Sequence, residues 1–221
     1  MIRCYAFGWV PPFARGLVRD LRVRWALEEL GLPYEARLVG DAPGAVPREA
    51  YRTVQPFGQV PALEDDELAL FESGAIVLTL AERHPPRLIS PDPATRARVL
   101  QWSFAALNTI EMPVQGLASI DLFHAEESWA KERRPAAVEA VRERFSELAR
   151  CLGSRDFLVD AFSAADILMV SVLRLLRHTD LVEEQPALAA YKERCESRPA
   201  FERALAAQLS DFARGEAQPA A

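Results

Sequence analysis

Apolar and polar positions along this chain fall into two regimes, a mixed one followed by a purely helical one. Residues 2–7 are an apolar-rich run with Arg3 as the only charge, which reads as a buried or half-buried strand. Gly8, Pro11 and Pro12 break it. Over 13–30 the spacing turns helical: Val23, Ala26, Leu27 and Leu30 share one face, charges take the other, and Gly31 stands where a left-handed cap is favoured. Pro33 blocks continuation, and Tyr34, Ala36 and Leu38 then alternate with Glu35 and Arg37 as in a half-buried strand. A loop over 40–47 and a short helical stretch over 49–54 follow. Residues 60–64 and 68–71 predict a hairpin turning at Asp65-Asp66, since Asp tolerates turn geometry. Ile76, Val77, Leu80 and Ala81 give the next helix its inward stripe, which Pro85 and Pro86 end.

Beyond a linker over 85–93, with four prolines in nine residues, strand signals stop. A helix over 95–110 places Val99, Trp102, Ala106 and Ile110 near one face, although apolar residues nearly encircle it at 104–107. Pro113 and Gly116 interrupt the pattern over 112–123. The helix over 136–152 is clearer, with Val138, Val141, Phe145, Leu148 and Leu152 at spacings of three and four and Gly153 after it. Ser163 and Asp166 form a capping box with Asp in place of the usual Glu. The helix they open, largely apolar through Leu176, should be the central buried one. Two more helices, over 186–196 and 199–209, each begin with proline, and 215–221 reads as a frayed tail. The expected organisation is an α/β domain over 1–84, the linker, and an all-helical domain over 94–221.

Composition narrows the classes of function. Half of the 221 residues are apolar and 26% charged, which is ordinary for a soluble globular protein. The net charge of −6, with no basic run, lacks the footprint of a nucleic-acid binder. Cys4, Cys151 and Cys195 form no C-x-x-C, and His84, His124 and His178 show no ligand spacing, so neither a dithiol nor a metal site is expected. The absence of a basic and apolar leader, with unpaired cysteines, fits the cytoplasm, with no membrane partner.

The candidate chemistry lies in one stretch. Gln55-Pro56-Phe57-Gly58-Gln59-Val60-Pro61-Ala62-Leu63 leads through an acidic turn to Leu68-Ala69-Leu70-Phe71-Glu72-Ser73-Gly74-Ala75-Ile76. The Val60-Pro61 bond can adopt the cis form at a cost of only about 0.5–1 kcal/mol and so present a backbone edge. Ser73 sits where a helix should start, its hydroxyl placed to cap or to join the free N–H groups in holding an anion.

These motifs resemble the glutathione-binding half of cytosolic glutathione S-transferases, and residues 23–35 resemble that family's first helix and second strand. The resemblance implies a thioredoxin-like N-terminal domain with Val60-Pro61 cis, an all-helical C-terminal domain entered by the Ser163/Asp166 box, and a homodimer. It also implies glutathione as cosubstrate: Ser73 and the N–H groups after it suit the γ-glutamyl carboxylate, Glu72 its ammonium, the Val60 backbone next to Pro61 the cysteinyl part, and Gln59 the glycine end. The activity implied is conjugation of glutathione to a small hydrophobic electrophile.

At the family's catalytic position the chain departs. One register puts Pro11 there and another Asp20, neither able to donate a hydrogen bond to a thiolate at pH 7, and about seven extra residues over 15–21 separate the two. No Ser, Thr, Tyr or Cys lies between Ala6 and Glu35 except Tyr34. Catalytic residues are therefore unassigned, and activation would fall to backbone N–H groups, Arg15 or Arg19, the Trp9 N–H, or a partner subunit. Arg15 and Arg19 could equally pair with Glu28 or Asp20. Trp25, Trp102 and Phe104 read as core rather than acceptor pocket, and Asn108 and Glu111 as candidates for a cleft or for solvent. The alternatives are a non-catalytic glutathione- or ligand-binding protein of the same fold, and a glutathione-dependent peroxidase or thiol reductase, which the missing site cysteine disfavours.

Overall fold

In the computed structural model, residues 1–40 and 44–216 are described, with side chains to Arg214. The expected loop over 40–47 and the tail over 215–221 lie partly outside them. By contacts the chain divides into two units, Met1–Leu88 with everything from Arg198 onward, and Ile89–Ser197. The sequence assigns the last helix to the helical half; the contacts return it to the first unit.

That first unit is built on a four-stranded sheet ordered β2-β1-β3-β4. Central strand β1 (Ile2–Phe7) pairs in parallel with β2 (Tyr34–Val39) and antiparallel with β3 (Ala62–Glu64), which pairs antiparallel with β4 (Ala69–Phe71). A parallel pair needs a crossover, and α1 (Asp20–Leu30) supplies it. Successive strand residues face opposite sides, so β1 is covered twice. Tyr5 meets Tyr51 of α2 (Arg48–Tyr51) at 5.3 Å between ring centroids, while Cys4 feels the charge of Arg24 on α1.

The helix expected over 13–30 begins only at Asp20. Pro12–Ala14 is a single 3-10 turn, Arg15 is extended at ψ 132°, and Gly16 takes φ +75°, outside the helical region. Of the surplus residues 15–21, those over 15–19 thus form a loop, and only Asp20 and Leu21 are helical. Nor does α1 segregate its charges: Asp20, Arg22 and Arg24 are as buried as Val23, Trp25 and Leu27. Gly31 ends it in the left-handed conformation, and Arg87 donates to the carbonyls of Glu29 and Leu30.

Next to it lie α3 (Ser73–Arg83), whose Ile76, Val77, Leu80 and Ala81 are buried as their spacing predicts, and α9 (Pro199–Glu216). Trp25 packs edge-on to Phe201 at 4.8 Å, and Arg198 grips both carboxylate oxygens of Glu29 at 2.6 and 2.8 Å.

The second unit is helical throughout its regular structure. α4 (Pro93–Phe104) is capped by the Asp92 carboxylate, which accepts from the Thr95 N–H at 2.8 Å. It runs through a π-helical segment, Ala105–Ile110, into α5 (Glu111–Phe123), where the Glu111 N–H reaches five residues back to Ala106. Pro113 explains the widening: it has no N–H to give and its ring clashes with the carbonyl four residues earlier. α6 (Ser128–Leu152) starts eight residues before the expected 136 and carries Pro135 inside it; α7 (Ala164–Leu173) is buried at every residue, the central helix the pattern predicts, and α8 (Pro186–Glu196) follows. Asp166 accepts from the N–H of Ser163 at 2.8 Å and of Leu158 at 3.0 Å, and from Tyr191 Oη on α8 at 2.9 Å.

Candidate functional site

The β3–β4 hairpin brings the predicted binding residues to one end of the sheet. Its register pairs Glu64 with Ala69, Leu63 with Leu70 and Ala62 with Phe71. The ladder ends at that last pair, where one strand is entered from Val60 and Pro61 and the other leaves through Glu72 into Ser73. The hairpin turn is anchored at Asp65, whose carboxylate accepts from the N–H groups of Glu67 and Leu68 at 2.8 and 2.9 Å and from Arg83 at 2.6 Å.

Each residue of the set then has a distinct environment. The Val60-Pro61 bond is cis, as the resemblance implies, and no hydrogen bond among the described residues uses the Val60 backbone. Gln59 is exposed, but its backbone is fixed on both sides: Tyr51 Oη donates to its carbonyl at 2.8 Å, and its N–H donates to Gln55 Oε1 at 3.0 Å. Tyr51 and Gln55 are buried beneath it. Tyr51, Val60 and Ala62 belong to the same small core as Tyr5 and Val39, so this edge rests on packed side chains rather than on a loose loop.

Glu72 is exposed and takes φ 71°, ψ 111°, the one positive φ among the described residues other than glycine. Such a conformation costs about 1–3 kcal/mol and persists where the surroundings impose it. Here it turns the chain from β4 into α3. The Glu72 carbonyl accepts the first helical bond, from Ile76 at 3.0 Å, leaving the N–H groups of Ser73, Gly74 and Ala75 ahead of the hydrogen-bond ladder.

Ser73 is therefore the first helical residue and not the cap: α3 has no side-chain cap, and the hydroxyl instead accepts from Arg22 Nη1 at 3.2 Å. Arg22, 2% exposed, was invisible in the sequence because amphipathic spacing assigns an arginine to the solvent face. A charge deep in a helix that is buried almost all round is a tertiary fact.

The catalytic side offers less. Asp20 lies in the core, 0% exposed, accepting from Arg24 Nε at 2.8 Å and Gln208 Nε2 at 2.7 Å. Burial raises its carboxyl pKa against the pull of Arg24 and Gln208. Pro11 merely precedes the 3-10 turn. Glu28 is held by Arg203 at 2.7 Å, so neither carboxylate considered as a partner for Arg15 and Arg19 lacks another arginine. Trp9 is 57% exposed on this loop. Burial pushes the Cys4 thiol up to about 12, Cys195 is buried, and Cys151 is exposed on α6.

Elsewhere, Trp25 is core, as expected, but Phe104 is 65% exposed, because it lies off the face of α4 that buries Val99 and Ser103; Asn108 is exposed and Glu111 buried. A groove of about 810 Å³ in the first unit runs between the end of α1 and α9, lined by charges such as Arg24, Glu28 and Asp211 that pair with one another or with neighbours. None of the predicted site residues lines it. Among the described residues no group of three His, Cys, Asp or Glu is placed to hold a metal, and no helix is long and apolar enough to cross a membrane.

The comparisons with known proteins agree with this geometry. Residues 21–88 match the glutathione S-transferase N-terminal domain and residues 117–199 the glutathione S-transferase C-terminal domain. Glutathione S-transferase F14 of Arabidopsis thaliana is 30% identical over 204 residues, 80% of this chain and 75% of that one. The maleylacetoacetate isomerase of Pseudomonas aeruginosa is also 30% identical, over 86% of this chain and 92% of its own. A glutathione transferase from Pseudomonas putida, crystallised with one glutathione disulfide per subunit, superposes with a TM-score of 0.75 at 26% identity, covering 92% of this chain and 90% of that one. With a thioredoxin-like sheet domain and a helical second unit that match that family's two domains, this chain belongs to the glutathione S-transferase family.

Proposed function

We propose that the chain binds glutathione along Gln59, Val60, Pro61, Glu72 and Ser73 and conjugates its sulfur to a small hydrophobic electrophile. The observation that carries this reading is that the β3–β4 hairpin is flanked on one side by the uncommitted Val60 backbone and on the other by Ser73 and the N–H groups that open α3. An extended peptide lies along such an edge by main-chain pairing, its anionic end at the helix N-terminus and its ammonium within reach of Glu72. In the reaction the thiolate attacks an electrophilic carbon, a C–S bond forms, and the displaced electron pair leaves with the leaving group or moves into the acceptor. A free thiol near pKa 8.5 is only a few per cent ionised at pH 7, so the thiolate must be favoured by roughly 2.7 kcal/mol to shift by two units.

A second reading has its own support. Residues 8–19 carry no hydroxyl, and Asp20 is committed to the core, which favours a glutathione-binding protein without turnover. A peroxidase or thiol reductase is the poorest fit, since burial leaves Cys4 protonated. Calorimetric titration with glutathione, followed by the ultraviolet spectrum of the bound thiol, separates the first two: binding with thiolate absorbance is expected for the transferase, binding without it for the silent protein, and no binding would end both.

We further infer a homodimer in the cytoplasm. Phe104, Met112 and Phe123, between 63% and 68% exposed, line the α4–α5 helix, and beside it a groove of about 510 Å³ is lined by Leu117, Ile120 and Trp129. Exposed apolar surface of this kind marks an interaction site. Sedimentation should give about twice the 24.6 kDa chain mass, and a monomer at micromolar concentration would contradict it. The three free cysteines suit a reducing compartment.

A further inference from the structure

Arg22 and Ser73, 51 residues apart in sequence, meet in a buried setting, 2% and 5% exposed. A guanidinium carries only donors, whereas a serine hydroxyl has one hydrogen to give and two lone pairs to receive. Arg22 Nη1, at 3.2 Å from Ser73 Oγ, therefore occupies one acceptor position and cannot take the hydroxyl hydrogen. Among the described residues nothing else takes it either. A buried donor without an acceptor is unfavourable, and the N–H groups of Ser73, Gly74 and Ala75 crowd the same helix end with further donors.

We propose that Arg22 is a positioning residue that makes Ser73 an obligate hydrogen-bond donor, so that this corner of the site selects a ligand carboxylate. The inference rests on the glutathione reading above and deepens it, fixing the γ-glutamyl carboxylate as the group that lies at α3. Arg22 itself need not touch the ligand. By filling the acceptor side of Oγ with a group that has no lone pair, it prevents the hydroxyl from turning its hydrogen inward.

The test is a set of calorimetric titrations of the full chain with two peptides, glutathione and γ-aminobutyryl-cysteinyl-glycine, which lacks only the γ-glutamyl carboxylate. Wild type should prefer glutathione by about tenfold or more, the value of one charge-assisted hydrogen bond. Arg22→Gln, whose amide oxygen can accept the Ser73 hydrogen, should lose about tenfold for glutathione and stay within about twofold for the other peptide. Arg22→Lys, again a pure donor, should keep most of the preference, and Ser73→Ala should cut it by about tenfold. A folded Arg22→Gln protein with the wild-type preference, or with equal losses for both peptides, would overturn the proposal. Should Arg22→Gln not fold, Arg22→Lys decides, since a preference lost as fully as in Ser73→Ala also overturns it. Wild type binding both peptides equally overturns this inference alone, whereas wild type binding neither overturns the glutathione reading and this inference with it.

Discussion

Arg24 Nη2 donates to Asp211 Oδ2 at 2.6 Å across 187 residues of sequence, with both side chains at most 3% exposed. The same guanidinium holds Asp20 through Nε, so one buried cation fastens the start of α1 and the end of α9 together. Removing one partner of a buried pair typically costs about 3–5 kcal/mol. Since Asp20 remains to neutralise Arg24, Asp211→Ala should destabilise the protein by about 3 kcal/mol, the low end of that range. Urea unfolding monitored at Trp25 is the measurement, and a change under about 1 kcal/mol would show the pair to be dispensable.

Ser73 has no capping bond to lose but accepts from the buried Arg22 guanidinium, so Ser73→Ala should cost about 1–3 kcal/mol of stability, and glutathione binding should weaken by about a further 1.5–3 kcal/mol. Thermal melts and calorimetry read the two effects separately. Equal glutathione affinity in wild type and variant would remove Ser73 from the site.

The hairpin that carries the site should loosen in acid. Burial alone would raise the Asp65 carboxyl, but the N–H groups of Glu67 and Leu68 and the Arg83 guanidinium outweigh it and hold its pKa below the ordinary aspartate value. A depressed folded-state pKa means that the stability is present above the unfolded value, about 3.9, and is lost as pH falls through the folded one. Asp65→Asn should therefore melt below wild type at pH 7, with the gap closing below about pH 4. A gap that is constant across that range would refute the assignment.

Asp166→Ala should be the most damaging change in the helical unit. It strips the acceptor from the N–H groups of Leu158 and Ser163 and from the Tyr191 hydroxyl, all buried. Orphaned buried donors cost about 1–3 kcal/mol each, so a loss of about 3 kcal/mol or more is expected in urea unfolding. A loss under about 1 kcal/mol would contradict it.

Thiol labelling of the native protein should modify Cys151 alone, with Cys4 and Cys195 reacting only after unfolding. Mass spectrometry of the labelled peptides reads this directly. Rapid native labelling of Cys4 would reopen the thiol-reductase reading, which its burial and its pKa of about 12 argue against.

What the sequence determined by itself was everything governed by short-range rules. The alternation over 34–39, the Asp65 turn, the inward stripe of α3, the Gly31 terminus and the Ser163/Asp166 box all appear where spacing and residue chemistry place them. Gln59, Val60, Pro61, Glu72 and Ser73 were readable as one candidate set because they lie within fifteen residues, on either side of the β3–β4 hairpin. Only the tertiary structure decided how the long-range partners fall. That α9 belongs with the sheet, that Asp20 pairs with Gln208 in the core, and that Ser73 answers to Arg22 instead of capping its helix all depend on groups 51 to 188 residues apart. Sequence periodicity reports which face of an element is apolar, but a buried arginine violates that pattern, and its free energy is set by carboxylates and hydroxyls that only the folded chain brings within 3.2 Å.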